Sequence, residues 1–160
     1  MFSALKSKER IWLTGSNLAY PVAGLWSEDP FFAGMMLVLG LSSAFYHAGG
    51  KHGNHIDVAA VYAVVFFIIG VLWGIPPVFI VPGALAGGAV LRKFTLDIPM
   101  EHKVGAITIL LLLFGFLSGA PLVLPAAVLA VALAIRQWVD HGAWHILSAY
   151  GLALAHRALS

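Results

Sequence analysis

Asp57-Val-Ala-Ala-Val-Tyr-Ala-Val-Val-Phe-Phe-Ile-Ile-Gly-Val-Leu72 carries a single charge, at its first position, and is otherwise rich in Val, Ile and Phe. Such a run reads as a helix that crosses a bilayer. The loop Gly50-Lys51-His52-Gly53-Asn54-His55 precedes it, and Gly74-Ile75-Pro76-Pro77 breaks the chain after it. Outward from this segment the pattern repeats. Apolar stretches cover 11–26, 31–49, 57–72, 78–91, 104–117, 122–135 and 141–159, each bounded by short polar punctuation such as Ser27-Glu28-Asp29-Pro30. Several are shorter than the ~20 residues that a crossing usually needs, so the helices are expected to run on into that punctuation. The 11–26 stretch is the weakest, because Thr14, Ser16, Asn17 and Pro21 make it too polar to face lipid all round. If it is re-entrant, six crossings remain.

Composition supports the same solvent. Of the 160 residues, 61% are hydrophobic and 10% charged, with a mean hydropathy of +0.93. Soluble domains average about 45–50% apolar and about 25% charged residues, so this chain has no polar shell to present to water. The expected fold is all-α: one transmembrane domain over 1–160, a bundle of seven helices. Small residues at Ala84, Ala86, Gly87, Gly88 and Ala89 predict close helix packing in the fourth span. Trp26, Trp73 and Trp138 fall near span ends, as an aromatic belt would place them.

The basic residues test the span count. With loops assigned alternately to the two sides, Lys6, Lys8, Arg10, Lys51, Arg92, Lys93, Lys103 and Arg136 share the side of the N-terminus, and only Arg157 lies opposite. The positive-inside rule then puts the N-terminus in the cytoplasm and the C-terminus outside. The first ten residues lack an apolar core ending at a small-residue cleavage site, and read as a cytoplasmic lead-in rather than a signal peptide. The pI near 9.1 is no nucleic-acid signal, since no basic run exceeds Arg92-Lys93, and no nucleic-acid partner is expected. Cysteine is absent, which excludes disulfides, thiolate ligands and a cysteine nucleophile.

Ionisable groups inside a membrane are costly, so each needs a reason. Ser43 and His47 lie four apart on one face at the end of the second span, Asp57 opens the third, and His141 and His145, again four apart, open the seventh. In the seven-span topology all five stand at the cytoplasmic side. Two histidines at i and i+4 can chelate one ion from a single helix. Three histidines plus water form an open zinc site, in which the ion acidifies its water toward neutral pH. Asp57 is then the candidate proton carrier, and Ser43 the group that orients water or donates to an oxyanion. Taken singly, each residue also has a plain reading. The His-x3-His pair fits packing, Ser43 fits a hydroxyl bonded to the carbonyl four residues back, and Asp57 fits an N-cap. Asp140 reads as the N-cap of the last span or as a partner for a histidine ring. His47, His52 and His55 make a rival metal set without rigid spacing, and His102 and His156 read as interface residues.

At these residues the sequence resembles the alkaline ceramidase family. More broadly it resembles the superfamily that joins it with adiponectin/progestin-type receptors and the lipid-remodelling proteins of GPI anchors. That superfamily is marked by Ser-x3-His, then Asp, then a distant His-x3-His, here Ser43, His47, Asp57, His141 and His145. Trp144-His145-Ile-Leu-Ser148-Ala-Tyr-Gly151 is similar to the ceramidase tract around the last ligand, and Asp57 followed by Tyr62 to its third-helix pattern. The resemblance implies zinc on His47, His141 and His145, Ser43 and Asp57 around the activated water, and hydrolysis of an amide in a membrane lipid. The eukaryotic ceramidases bind calcium through an acidic N-terminal stretch. Here only Glu9 precedes the first span, so no calcium site is expected. Val58 stands where the family commonly has a second acid. The small size implies a minimal prokaryotic member, resident in a bacterial inner membrane.

Two other functions fit part of the pattern. A zinc-dependent lipid esterase or phospholipase shares the whole site. A metal transporter or sensor would need ionisable residues along a path across the bilayer. The spans at 78–91, 104–117 and 122–135 contain neither acid nor histidine.

Overall fold

The computed structural model describes residues 7–49, 53–95, 97–119, 121–138 and 140–159. Among them are eight helices and no strand: α1 (Ser7–Ser16), α2 (Ala19–Trp26), α3 (Pro30–His47), α4 (Gly53–Leu72), α5 (Pro77–Phe94), α6 (Met100–Ser118), α7 (Val123–Trp138) and α8 (His141–Arg157). Each apolar stretch is helical, and several helices extend into the flanking polar residues, so that Arg92 and Lys93 end α5 and Lys103 lies in the first turn of α6. Basic side chains tolerate this because they reach past the apolar zone to water. Pro30–His47, His55–Leu72 and Pro77–Phe94 are long and apolar enough to cross a membrane, with mean hydropathies of 1.3, 2.3 and 1.3. Val123–Ile135 is a shorter apolar segment. Lys6, Lys51 and His52 lie outside the described residues, as do the side chains of Lys8, Arg10, Arg136 and Trp138.

The 11–26 stretch forms two helices instead of one. Pro21 has no N–H to give the carbonyl of Asn17, four residues back, and a proline ring crowds that position. The chain passes the break in tight turns, with Leu18 N bonded to Gly15 O at 3.0 Å and Tyr20 N to Asn17 O at 3.2 Å. Ser16 Oγ and Asn17 Nδ2 both donate to Leu13 O, at 3.0 and 2.7 Å, so these donors are satisfied within the stretch. The break leaves Tyr20 in the first turn of α2, facing the core and 2% exposed.

α4 is the central element. It packs on α3 and α5 and also touches α6 and α8, and 56% of its apolar window is buried, against 17% for α5. α8 lies against α7, α2 and α1, and α6 follows α7, which closes a ring around the core of Phe32, Met36, Leu39, Val64, Phe67 and Ile68. α5 stands outside that ring. Gly88 is required there: a Cβ would collide with the Ala59 carbonyl and the Ala63 backbone of α4, so α5 approaches through its small residues as expected. Away from the core the surface is apolar, with Phe116 at 85%, Phe94 at 76% and Val123 at 74% exposure. Apolar side chains spread over the outside of a bundle are what a lipid solvent requires and what water forbids. The chain is a helical membrane protein.

Candidate metal centre

The site forms where α3 ends and α8 begins. Asp29 caps α3, its Oδ1 accepting from Phe31 N at 2.8 Å and Phe32 N at 3.2 Å, with Pro30 in the first turn. The helix runs to His47, and its i, i+4 geometry turns Ser43 and His47 to the same inner face, 1% and 4% exposed. At the start of α8, Asp140 is extended and accepts the Ala143 amide at 3.0 Å, which makes it the N-cap of α8. It also accepts the Trp12 indole N–H at 3.0 Å. These two donors, Trp12 first, hold the Asp140 carboxyl below the usual carboxylate range. Asp140 takes the expected cap, and it also holds the Trp12 indole. Gly142 is part of this seam, because a Cβ there would overlap the Trp12 indole. α1 thus fixes the first turn of α8, and with it His141 and His145.

The three predicted histidines meet. His47 and His145 are buried and His141 half-buried, and one ring nitrogen of each lies within 4.8 Å of the other two. The ring centroids form a near-equilateral triangle of 5.0 Å (His47–His141), 4.9 Å (His47–His145) and 5.0 Å (His141–His145). His47 Nε2 and His145 Nε2 are 2.9 Å apart. A tetrahedral ion with bonds of about 2.0–2.1 Å keeps two ligand nitrogens roughly 3.4 Å apart, so the triad fits an ion after its closest pair opens by about half an ångström. Three neutral nitrogen donors with no carboxylate among them suit a borderline metal and leave coordination positions over. Aromatic walls hold the rings: Trp144 packs on His145 at 4.6 Å and on His141 at 5.3 Å, and Tyr46 packs on His47 at 4.9 Å.

Asp57 lies in the second turn of α4, a helix that starts at Gly53, so it is not an N-cap. It is 5% exposed, and its carboxyl lies beside the Ser43 hydroxyl. The carbonyl-bonded serine is the neighbour, Ser42, whose Oγ donates to Leu39 O at 2.9 Å. Ser43 Oγ is buried and makes no hydrogen bond of good geometry. Both plain readings therefore fail: the acid does not end a helix, and the hydroxyl is not spent on backbone. Tyr62 points elsewhere, donating to Thr95 at 2.9 Å at the end of α5.

No family model, no curated protein and no solved structure matches this chain. Two further hydroxyls belong to the site: Tyr20, which carries no sequence signal, and Ser148, which falls in the 144–151 tract. Tyr20 Oη lies 3.3 Å from His145 Nδ1 and 2.9 Å from Ser148 Oγ, and Ser148 Oγ donates to the His145 carbonyl at 3.1 Å. Tyr20 is on α2, and nothing in its local sequence ties it to α8, 125 positions on.

The remaining histidines separate clearly. His55 is exposed in the first turn of α4 and outside the triad, and His102 is exposed in α6. His156 is not an interface residue. It is 1% exposed, bonds Asp29 Oδ2 through Nε2 at 2.9 Å, and stacks on Phe32 at 4.2 Å. Buried ionisable groups thus occur at both ends of the bundle. Among the described residues the core between them includes Phe32, Met36, Leu39 and Phe67.

Proposed function

We propose that the chain is a zinc-dependent intramembrane hydrolase that cleaves an amide bond in an N-acyl lipid. It crosses the membrane seven times, α1 and α2 together making the first crossing, in a bacterial inner membrane with the N-terminus cytoplasmic. The observation that carries the reading is the convergence of three histidines from two helices beside a buried Asp57–Ser43 pair from α4 and α3. His47, His141 and His145 hold the ion. When bound, zinc supplies Lewis acidity and brings the pKa of water into the neutral range. Asp57 takes the proton released as water adds to the acyl carbon, and returns it to the departing nitrogen as the C–N bond breaks. Ser43 donates a hydrogen bond from its hydroxyl to the acyl oxygen as negative charge develops there. The low-exposure walls of Trp144, Leu39 and Val65 keep bulk water out and strengthen each of these contacts.

Lipid reaches such a site sideways. A largely apolar cavity of about 410 Å³ opens between α4, α5 and α6, lined by Tyr62, Phe66, Leu91 and Leu110 among others. A second, of about 40 Å³, lies against Tyr20, Trp144 and Ser148, the residues that contact His145. Val65 and Ile107 line both, so two side chains separate the outer cavity from the inner one. This supports entry of an acyl chain between helices.

The test is fatty-acid release by the purified, zinc-loaded protein from paired amide-linked and ester-linked lipids in mixed micelles. Release from the amide alone is expected. Release from the ester alone transfers the reading to a lipid esterase, and release from neither removes the hydrolase.

A further inference from the structure

We infer that Tyr20 and Ser148 are positioning residues that hold His145 in the tautomer able to bind a metal. The inference rests on the reading of the three histidines as a metal centre.

The chain of contacts runs His145 Nδ1, Tyr20 Oη, Ser148 Oγ, His145 carbonyl, at 3.3, 2.9 and 3.1 Å. It leaves His145 at one end of its side chain and returns to the same residue's backbone. All its members are buried: Tyr20 is 2%, His145 1% and Ser148 7% exposed. The carbonyl can only accept, and each hydroxyl has one proton to give. Two directions are possible. In the first, Nδ1–H donates to Tyr20, Tyr20 to Ser148, and Ser148 to the carbonyl. All three contacts are then hydrogen bonds, and Nε2 carries a lone pair toward the triad. In the second, Ser148 donates to Tyr20 and Tyr20 to Nδ1. The carbonyl contact is lost and Nε2 carries the proton, which blocks a metal. The 2.9 Å contact between His145 Nε2 and His47 Nε2 forms in either direction and does not discriminate.

The carbonyl end of the chain therefore favours the first direction by one buried hydrogen bond. A neutral group that accepts the Nδ1 proton of a ligating histidine fixes both the ring's tautomer and its orientation. Tyr20 does so across the α2–α8 contact, and it can because the break at Pro21 delivers its ring into the core. The edge-on ring contact of Tyr20 with His145, centroids 5.9 Å apart at 73°, supports the same placement.

Without Ser148 the tyrosine proton has one acceptor left, Nδ1, and the second direction prevails. Removing the serine is thus expected to impair metal binding through a residue that never touches the metal.

The experiment measures zinc affinity by chelator competition for the full chain and for Tyr20→Phe, Ser148→Ala and Ser148→Thr, with circular dichroism as the folding control. Tyr20→Phe and Ser148→Ala are each expected to weaken zinc about 10–100-fold at unchanged stoichiometry. Ser148→Thr, which keeps the hydroxyl, stays within about threefold of the parent, a rescue that a purely packing role would not give. If both deletions bind zinc as tightly as the parent, or if threonine fails to rescue a folded protein, the inference is overturned while the metal centre stands. If the parent binds no zinc, the metal reading falls and this inference falls with it.

Discussion

His145 and His156 lie about three turns apart on one helix. Both are 1% exposed, yet they are held in different ways. His156 faces an acid: its Nε2 meets Asp29 Oδ2 at 2.9 Å, and its ring is plated by Phe32 and Phe67. Asp29 at the same time caps α3 with its other oxygen. Beside it Arg157 lies over Trp26 at 4.5 Å, and Trp26 stacks on Tyr150. This end of the bundle is a clamp, in which charge, ring and cap tie the α2–α3 turn to the end of α8. His145 instead faces two further imidazoles, with an acid and a hydroxyl set to one side. Burial of a histidine therefore says little on its own. A single acid partner makes a lock, and a cluster of like donors makes room for an ion.

The largest effect that can break this comparison comes from the reaction. Asp57→Asn is expected to lower turnover by about 10²–10⁴-fold, the range for a lost general base, with zinc still bound. Steady-state rates beside metal analysis decide it; unchanged turnover would remove Asp57 from the chemistry. Next in size is the clamp. Asp29→Ala loses the α3 cap, about 0.5–2 kcal/mol. It also strands a buried imidazole nitrogen, roughly another 1–3 kcal/mol. Unfolding in detergent is expected to show that loss while zinc affinity stays within about threefold; a matching loss of zinc would mean that the two ends are one unit. Chelation is the converse. Removing zinc held at a hundred times its Kd is expected to lower apparent stability by about 2.7 kcal/mol, by the same amount in the parent and in Asp29→Ala. The smallest effect is at the seam of α1 and α8. Trp12→Phe deletes a partly exposed hydrogen bond to Asp140 and is expected to cost about 0.5–1 kcal/mol in thermal unfolding.

The two ends also differ in how legible they are in the sequence. His47, Asp57, His141 and His145 stand out because an apolar chain offers few ionisable groups, and helical spacing alone pairs His141 with His145 and Ser43 with His47. Asp29 and His156 are visible too, but each has a sufficient local explanation, a turn residue and an interface residue. Their pairing spans 127 positions, and no local pattern encodes it. Tyr20 is hidden for the same reason, and Ser148, although it falls in the 144–151 tract, gives no sign of which hydroxyl it will meet. Pro21 and the polar residues near it do mark the first stretch as unusual. They do not show that the consequence is a break placing Tyr20 in the core. Helix ends read short in the sequence because Arg92, Lys93 and Lys103 look like loop residues, whereas long basic side chains can leave the apolar zone without ending the helix.

Everything proposed for the inner end depends on the triad holding an ion. The direct measurement is metal content of the purified, zinc-equilibrated chain, alongside His47→Ala, His141→Ala and His145→Ala, each checked for helical content. One zinc per parent chain is expected, with stoichiometric binding lost in each variant. A parent without stoichiometric zinc, or a folded variant that keeps its zinc, would contradict the account.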